Sequence, residues 1–289
     1  MVKRNNSIIA FQGELGANGD LACRVVDGDM ETLPCHTFED TFAAVHEGRA
    51  DYLLIPIDNT VAGRVADIHH LLPESGLHIV GEHFQRVEHH LLAVKGTKLK
   101  ELTHVHSHVH ALNQCRNAIQ DYGLEPMVHV DTAAAAREIA ERGEKTHAAI
   151  ASELAGNIYG LDSLRANIED ADHNTTRFLL MAKQQLTVAP DDNALITSFV
   201  FRVRNVSAAL YKALGGFATN GVNMLKLESY LIGGGFIAAQ FYAEVEGHPE
   251  NQDVRLALEE LSFFTHEVRL LGVYPRNPAR DIINKNGTE

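Results

Sequence analysis

A guanidinium flanked by amide, hydroxyl and aromatic side chains occurs at Asn174, Thr175, Thr176, Arg177 and Phe178, just before the apolar run 179–182. Strand ends are where open α/β sheets expose functional groups. A fixed positive charge beside a hydroxyl at such an end can bind a carboxylate and offer a proton next to it. Alone, the segment reads equally well as a polar loop entering a strand, so its meaning depends on what the chain brings to the same edge.

Other polar groups recur at comparable places. Asp58, Asn59 and Thr60 follow the apolar stretch 52–57, and either a ligand contact or an Asx-type turn suits them. Ser107, Thr132 and Ser152 each sit between an apolar run and a segment of helical period, so each is expected to cap a helix at one shared rim. His104, His106, His108 and His110 alternate, as ligands on one strand face would. A helix starting at Ser107 would separate those rings, so no metal is expected, and His108 is the one of the four expected near a ligand. Glu153, Glu169, Asp170 and Asp172 are expected to be structural carboxylates rather than acid/base groups.

The balance of 25 basic against 38 acidic residues gives a net charge of −13, which disfavours a nucleic-acid or anionic membrane partner and favours a small molecule. Cys23, Cys35 and Cys115 are odd in number and widely spaced, which predicts neither a disulfide framework nor a thiolate zinc site and fits a reducing cytoplasm. The start of the chain is short, basic and polar, and no apolar run reaches the length of a spanning helix, so a soluble, unexported protein is expected.

The elements that must position these groups alternate. Strand 7–11 leads through Gly13, Gly16 and Gly19 into a helix, and the glycine spacing is not that of a dinucleotide fold. A helix capped by Thr37, strand 52–57 and a helix over 63–72 complete a first lobe. Extended stretches 78–84 and 87–94 carry the chain to a second lobe, with strands 102–106, 126–130 and 148–151, a helix running from 107 to Gly123 and further helices after Thr132 and Ser152. Strand 178–182 returns to the first lobe, so two crossings make a hinge and a ligand cleft. After a linker at 183–192, strand 194–203, a helix capped by Ser207, a hairpin around Gly233, Gly234 and Gly235, a second helix and strand 267–274 give the order βαββαβ, a ferredoxin-like unit.

With these segments in view the chain resembles the bacterial prephenate dehydratases over nearly its whole length. The residues that carry the resemblance are 56–60 (Pro-Ile-Asp-Asn-Thr), 107–112 (Ser-His-Val-His-Ala-Leu), 131–133 (Asp-Thr-Ala) and 174–178. The resemblance implies an α/β protein with a two-lobed, periplasmic-binding-protein-like catalytic domain at 1–184, with lobes at about 1–80 plus 172–184 and about 81–171, then a ferredoxin-like ACT regulatory domain at 193–278. It implies decarboxylative dehydration of prephenate to phenylpyruvate in phenylalanine biosynthesis, with no cofactor and no metal.

In those terms Thr176 is the catalytic hydroxyl and Arg177 the carboxylate clamp. Phe178 shapes the pocket, and Asn59, Thr60, Ser107, His108, Thr132, Asn174 and Thr175 bind substrate. Ala208, Ala209, Leu210, Asn223, Leu227, Glu228 and Ser229 would take L-phenylalanine as inhibitor, and a homodimer or homotetramer through ACT domains is expected. Asp58 and Thr60 stand where the family usually has Glu and Ser, and Ser207 and Ala208 stand where it usually has Pro and Gly. Arogenate dehydratase and a non-catalytic binder of small anions are the competing readings. The latter predicts an export signal and leaves the hydroxyl beside Arg177 unexplained.

Overall fold

A computed structural model describes residues 7–65, 68–190, 192, 194–204, 206–231 and 238–286 of the protein. Residues 1–6 and the expected hairpin turn at Gly233, Gly234 and Gly235 lie outside the described residues. By compactness the chain forms two units, one of residues 1–68, 83–179 and 285–289, the other of residues 69–82 and 180–284.

The first unit holds two α/β lobes. The first runs β1 (Ile8–Gln12), α1 (Asn18–Val26), β2 (Glu31–Cys35), α2 (Phe38–His46), β3 (Tyr52–Asn59) and β4 (Gly63–Arg64). Next, α3 (Ile68–Glu74) and the start of β5 (His78–Arg86) group with the second unit. The second lobe runs β6 (His90–Ala93), β7 (His104–His108), α4 (Val109–Gln114), α5 (Arg116–Asp121), β8 (Glu125–His129), α6 (Thr132–Arg142), β9 (His147–Ala151), α7 (Glu153–Tyr159) and β10 (Asp162–Arg165). The chain then re-enters the first sheet as β11 (Thr175–Ala182).

The first sheet has the order β2-β1-β3-β11-β5, with β4 folded back on β3, and the second has the order β10-β6-β9-β7-β8. β1 is parallel to β2 and β3, and β7 is parallel to β8 and β9. Such strands are covered on both faces, which is why Ile9, Ala10 and Phe11 of β1 and Leu53, Leu54, Ile55 and Ile57 of β3 form near-continuous apolar runs and are buried. The lobes meet where Gly16 (φ +89°) presses on α7. A Cβ there would lie 2.7 Å from Ala155 Cα, so only glycine permits the approach. Arg137 clasps Glu14 with two hydrogen bonds of 2.8 and 3.0 Å beside it, and Tyr159 Oη donates to the Leu15 carbonyl at 2.9 Å.

Several local expectations are corrected. Residues 63–72 do not form one helix: Asn59 Oδ1 accepts from Val61 N and Ala62 N, and this Asx turn folds the chain into β4. The cap of α4 is His108 rather than Ser107, because β7 continues through His108. His104, His106 and His108 therefore do share a strand face. His106 Nε2 lies 2.8 Å from His147 Nδ1, and His104 stacks on His147 at 4.6 Å. Among the described residues no group of His, Cys, Asp or Glu is arranged to hold a metal ion. The cap of α6 is Asp131, whose Oδ1 accepts from Ala133 N and Ala134 N, with Thr132 the first helical residue. Ser152 does cap α7, accepting from Ala155 N at 3.1 Å.

The helix from 107 to Gly123 is interrupted at Cys115. Asp170 accepts from Arg116 N and Asn117 N, capping α5 afresh, and its own N–H donates to the Gln114 carbonyl. Glu169 likewise accepts from His89 N at 2.9 Å. Glu169 and Asp170 are thus spent on backbone amides, while the Asp172 side chain is exposed.

The second unit contains β12 (Leu195–Val203), α8 (Ala209–Thr219), β13 (Met224–Leu231), β14 (Ala238–Glu246), α9 (Gln252–Phe264), β15 (Thr265–Pro275) and α10 (Ala279–Asn286, whose last two residues fall to the first unit). The sheet order β13-β14-β12-β15 is antiparallel throughout, which is the ferredoxin-like arrangement. Phe199, Phe201, Phe217, Phe241, Val254 and Leu261 build its core. Ser207 does not cap α8. The cap is Ala208 in the left-handed region (φ +60°), with no side-chain bond to the first turn. No helix among the described residues is long and apolar enough to cross a membrane.

Candidate active site

Strand ends and helix starts of the two lobes converge on a cavity of about 330 Å³. That is the lower end of the range for small-molecule sites, roughly 300–1,000 Å³. Asn59, Thr176 and Phe178 reach it from the first lobe, His89, His108, Gln114, Asp131 and Thr132 from the second. The start of α1 contributes Ala17, Asn18 and Gly19, and Ala17 makes no side-chain bond to the first-turn amides. Asp20 in the same turn is taken up by Gly16 N at 2.8 Å and by Arg24 at 3.0 Å.

One hydrogen-bond chain fixes the polarity of the centre. Because Asn59 Oδ1 accepts two backbone N–H groups, at 2.9 and 2.7 Å, its Nδ2 must be the donor. Nδ2 donates to Thr176 Oγ1 and to Asn174 Oδ1, both at 2.9 Å. Asn174 Nδ2 then donates to Gln114 Oε1 at 2.9 Å. Thr176 Oγ1 spends a lone pair on Asn59, and its own proton has no protein acceptor among the described residues, so the hydroxyl is poised to donate into the cavity.

Strand alternation sorts the remaining candidates. Asn174, Thr176 and Phe178 point one way from β11, and Thr175 and Arg177 point the other. Arg177, expected as the carboxylate clamp, thus lies on the face of β11 away from Thr176. It is 6% exposed, lies 3.8 Å from Asp58 and 6.0 Å from the Phe84 ring, and does not line the cavity. Ser107 alternates away from His108 and donates to the Ile150 carbonyl, buried. Thr60 Oγ1 donates to the His173 carbonyl and accepts from Thr175 N, bracing β11 without reaching the cavity. Asn59, His108, Thr132, Thr176 and Phe178 remain as lining residues, with Asn174 one bond behind.

Among the described lining residues there is neither Lys nor Arg, so the cavity works with neutral donors. His108 Nδ1 accepts from His110 N at 3.3 Å, which leaves Nε2 to carry the proton. Burial, with His110 nearby, pulls the His108 pKa below its usual range and keeps the ring neutral. Burial pushes Asp131 up, against the two backbone amides that hold its Oδ1. Gln114 and His89 also line the cavity, and local sequence reasoning does not single them out. Gln114 lay in what read as a continuous helix, and the break that turns it inward comes from Asp170, distant in sequence.

Fold and site together define a two-lobed α/β protein of the periplasmic-binding-protein-like class, with a donor-rich cavity between its lobes. The family model described as prephenate dehydratase matches residues 9–186, and the chain belongs to the prephenate dehydratase family. It is 52% identical to a Komagataeibacter europaeus protein named bifunctional N-acyl-homoserine lactone acylase/prephenate dehydratase, over 94% of this chain and 97% of that one. It is 35% identical to arogenate dehydratase/prephenate dehydratase 1 of Arabidopsis thaliana, over 94% of this chain and 73% of the plant protein. The crystal structure of the Arthrobacter aurescens prephenate dehydratase in complex with L-Phe superposes with a TM-score of 0.84 at 26% identity, covering 97% and 98% of the two chains.

Proposed function

We propose that the protein converts prephenate to phenylpyruvate, carbon dioxide and water. In this reaction the bond between ring and carboxylate breaks, its electron pair enters the ring, and the ring hydroxyl leaves with one proton as water. Aromatisation supplies much of the driving force, so the protein must orient the dianion, exclude water and assist the leaving oxygen. The observation that carries the reading is the oriented Asn59–Thr176 pair, which aims a hydroxyl proton into the cavity. The start of α1, Gln114 Nε2, His108 Nε2 and the Thr132 hydroxyl supply donors for carboxylate oxygens without a cationic side chain. Incubation with prephenate and, separately, arogenate, following phenylpyruvate and phenylalanine, tests this reading. Phenylpyruvate from prephenate supports it, and product from arogenate alone replaces it with the amino substrate.

Residues 1–184 are read as the catalytic domain and 193–278 as an ACT regulatory domain of a cytoplasmic homodimer or homotetramer. The L-Phe held by the Arthrobacter protein supports the same effector here. Ala208, Ala209 and Leu210 lie at the start of α8, Asn223 precedes β13, and Leu227, Glu228 and Ser229 lie on that edge strand. Calorimetry with L-phenylalanine, alongside inhibition of turnover, tests this assignment.

A second reading rests on the Komagataeibacter relative, whose name joins the dehydratase to an N-acyl-homoserine lactone acylase. Leu54, Val65, Val87 and Phe178 give the same cavity apolar surface that suits an acyl chain. Mass spectrometry for homoserine lactone released from an N-acyl substrate decides it.

A further inference from the structure

His89 is 2% exposed and lines the cavity, yet the chemistry proposed above assigns it no part. Its Nε2 lies 3.0 Å from Gln114 Oε1, the same oxygen that accepts from Asn174 Nδ2. An oxygen already fixed as an acceptor requires a donor opposite, so Nε2 carries the proton and Nδ1 is left as a bare lone pair. Nδ1 is buried and has no hydrogen-bond partner. A ring that only filled space would be better served by phenylalanine, because an unpaired buried acceptor disfavours the fold. Burial also lowers the His89 pKa, which keeps the ring neutral in the working range.

We propose that His89 is a positioning residue for the reaction: by donating to Gln114 Oε1 it fills that oxygen together with Asn174, so that Gln114 turns only N–H donors to the substrate. The same bond fastens the far end of the chain running through Asn174 and Asn59 to Thr176, so a loosened Gln114 also loosens the catalytic hydroxyl. Gln114 Nε2 has no protein partner among the described residues, and Gln114 lines the cavity. The substrate group it meets must be an acceptor, a carboxylate or keto oxygen. This inference rests on the dehydratase reading.

The test is a cycle of His89→Phe, His89→Gln, Gln114→Ala and the pair His89→Phe with Gln114→Ala, with kcat, KM and melting temperature measured for each. Wild-type turnover of prephenate judges the dehydratase reading separately. His89→Phe is expected to lower kcat about tenfold, the weight of one neutral hydrogen bond, with KM little changed. His89→Gln, which restores an N–H near the Nε2 position, is expected to recover most of that loss, and His89→Phe is expected to do no further harm once Gln114 is alanine. Equal losses from His89→Phe in both backgrounds, or no rescue by glutamine in a folded protein, would overturn the proposal. Ring ¹⁵N shifts give a readout without substrate: a proton on Nε2 supports the proposal, and a proton on Nδ1 alone removes it.

Discussion

Asn59 Nδ2 donates to Thr176 Oγ1 at 2.9 Å across a sequence separation of 117 residues. The direction of that bond is set by two backbone amides, Val61 N and Ala62 N, which claim the Asn59 oxygen. The turn that ends β3 thereby decides which way the hydroxyl on β11 faces. Threonine is a feeble acid, and its use here lies in a hydrogen bond that strengthens as the leaving oxygen gains charge.

Asn59→Asp keeps the acceptor for the turn and removes the donor to both Thr176 and Asn174. The threonine proton would then satisfy the new carboxylate instead of the substrate. A fall in kcat of about 10² or more is expected, the usual range for a positioned proton-transfer group, with circular dichroism unchanged. Near-normal kcat would show that the direction of this bond is irrelevant.

Arg177→Met separates support from clamping. Since the guanidinium is buried beside Asp58 on the far face of β11, its loss should lower stability by about 1–3 kcal/mol and raise KM by less than about tenfold. Denaturant unfolding alongside steady-state kinetics distinguishes the outcomes. Unchanged stability with a large rise in KM would put the guanidinium on the ligand after all.

Much of the architecture was legible in the residues. The period-2 and helical patterns predicted both lobes and the βαββαβ order, because those elements bury apolar faces that local sequence records. What misled was non-local or one residue out of phase. β7 ends one residue beyond where its apolar pattern stops, which puts the cap on His108 and leaves His104, His106 and His108 on one face. Composition marks 174–178 as a polar segment beside an apolar run but does not report alternation, which turns Thr176 and Phe178 to the cavity and Arg177 to the other face of β11. Gln114 and His89 gain their roles from Asp170, Glu169 and Asn174, none of them a near neighbour in sequence.

Acid should weaken the first unit early. Burial is the leading cause that holds His83, His89, His106 and His108 below the ordinary imidazole pKa of 6.5, with His106 pushed down to about 4. Each therefore binds a proton more readily unfolded than folded. The stability they support is full above about pH 6.5 and falls as the pH drops towards their folded values, by up to about 1.4 kcal/mol per pH unit for each group. Urea midpoints measured from pH 7.5 to 5 should decline on the acid side. A flat profile would show that these rings are not held neutral.

Ala208→Gly should stabilise the second unit. An alanine at φ +60° carries a left-handed strain of about 1–2 kcal/mol that glycine avoids, partly offset by the looser unfolded chain. A rise of a few degrees in melting temperature is expected by calorimetry. A fall would mean that the alanine methyl makes contacts worth more than the strain.

Single-turnover conversion of prephenate by the wild type, Thr176→Ser and Thr176→Val tests the central claim most directly. The wild type should yield phenylpyruvate, serine should retain much of the rate because it keeps a hydroxyl for Asn59 to orient, and valine, of nearly the same shape, should lose about 10²-fold or more. Valine turning over prephenate as fast as threonine, in a protein that remains folded, would contradict the account.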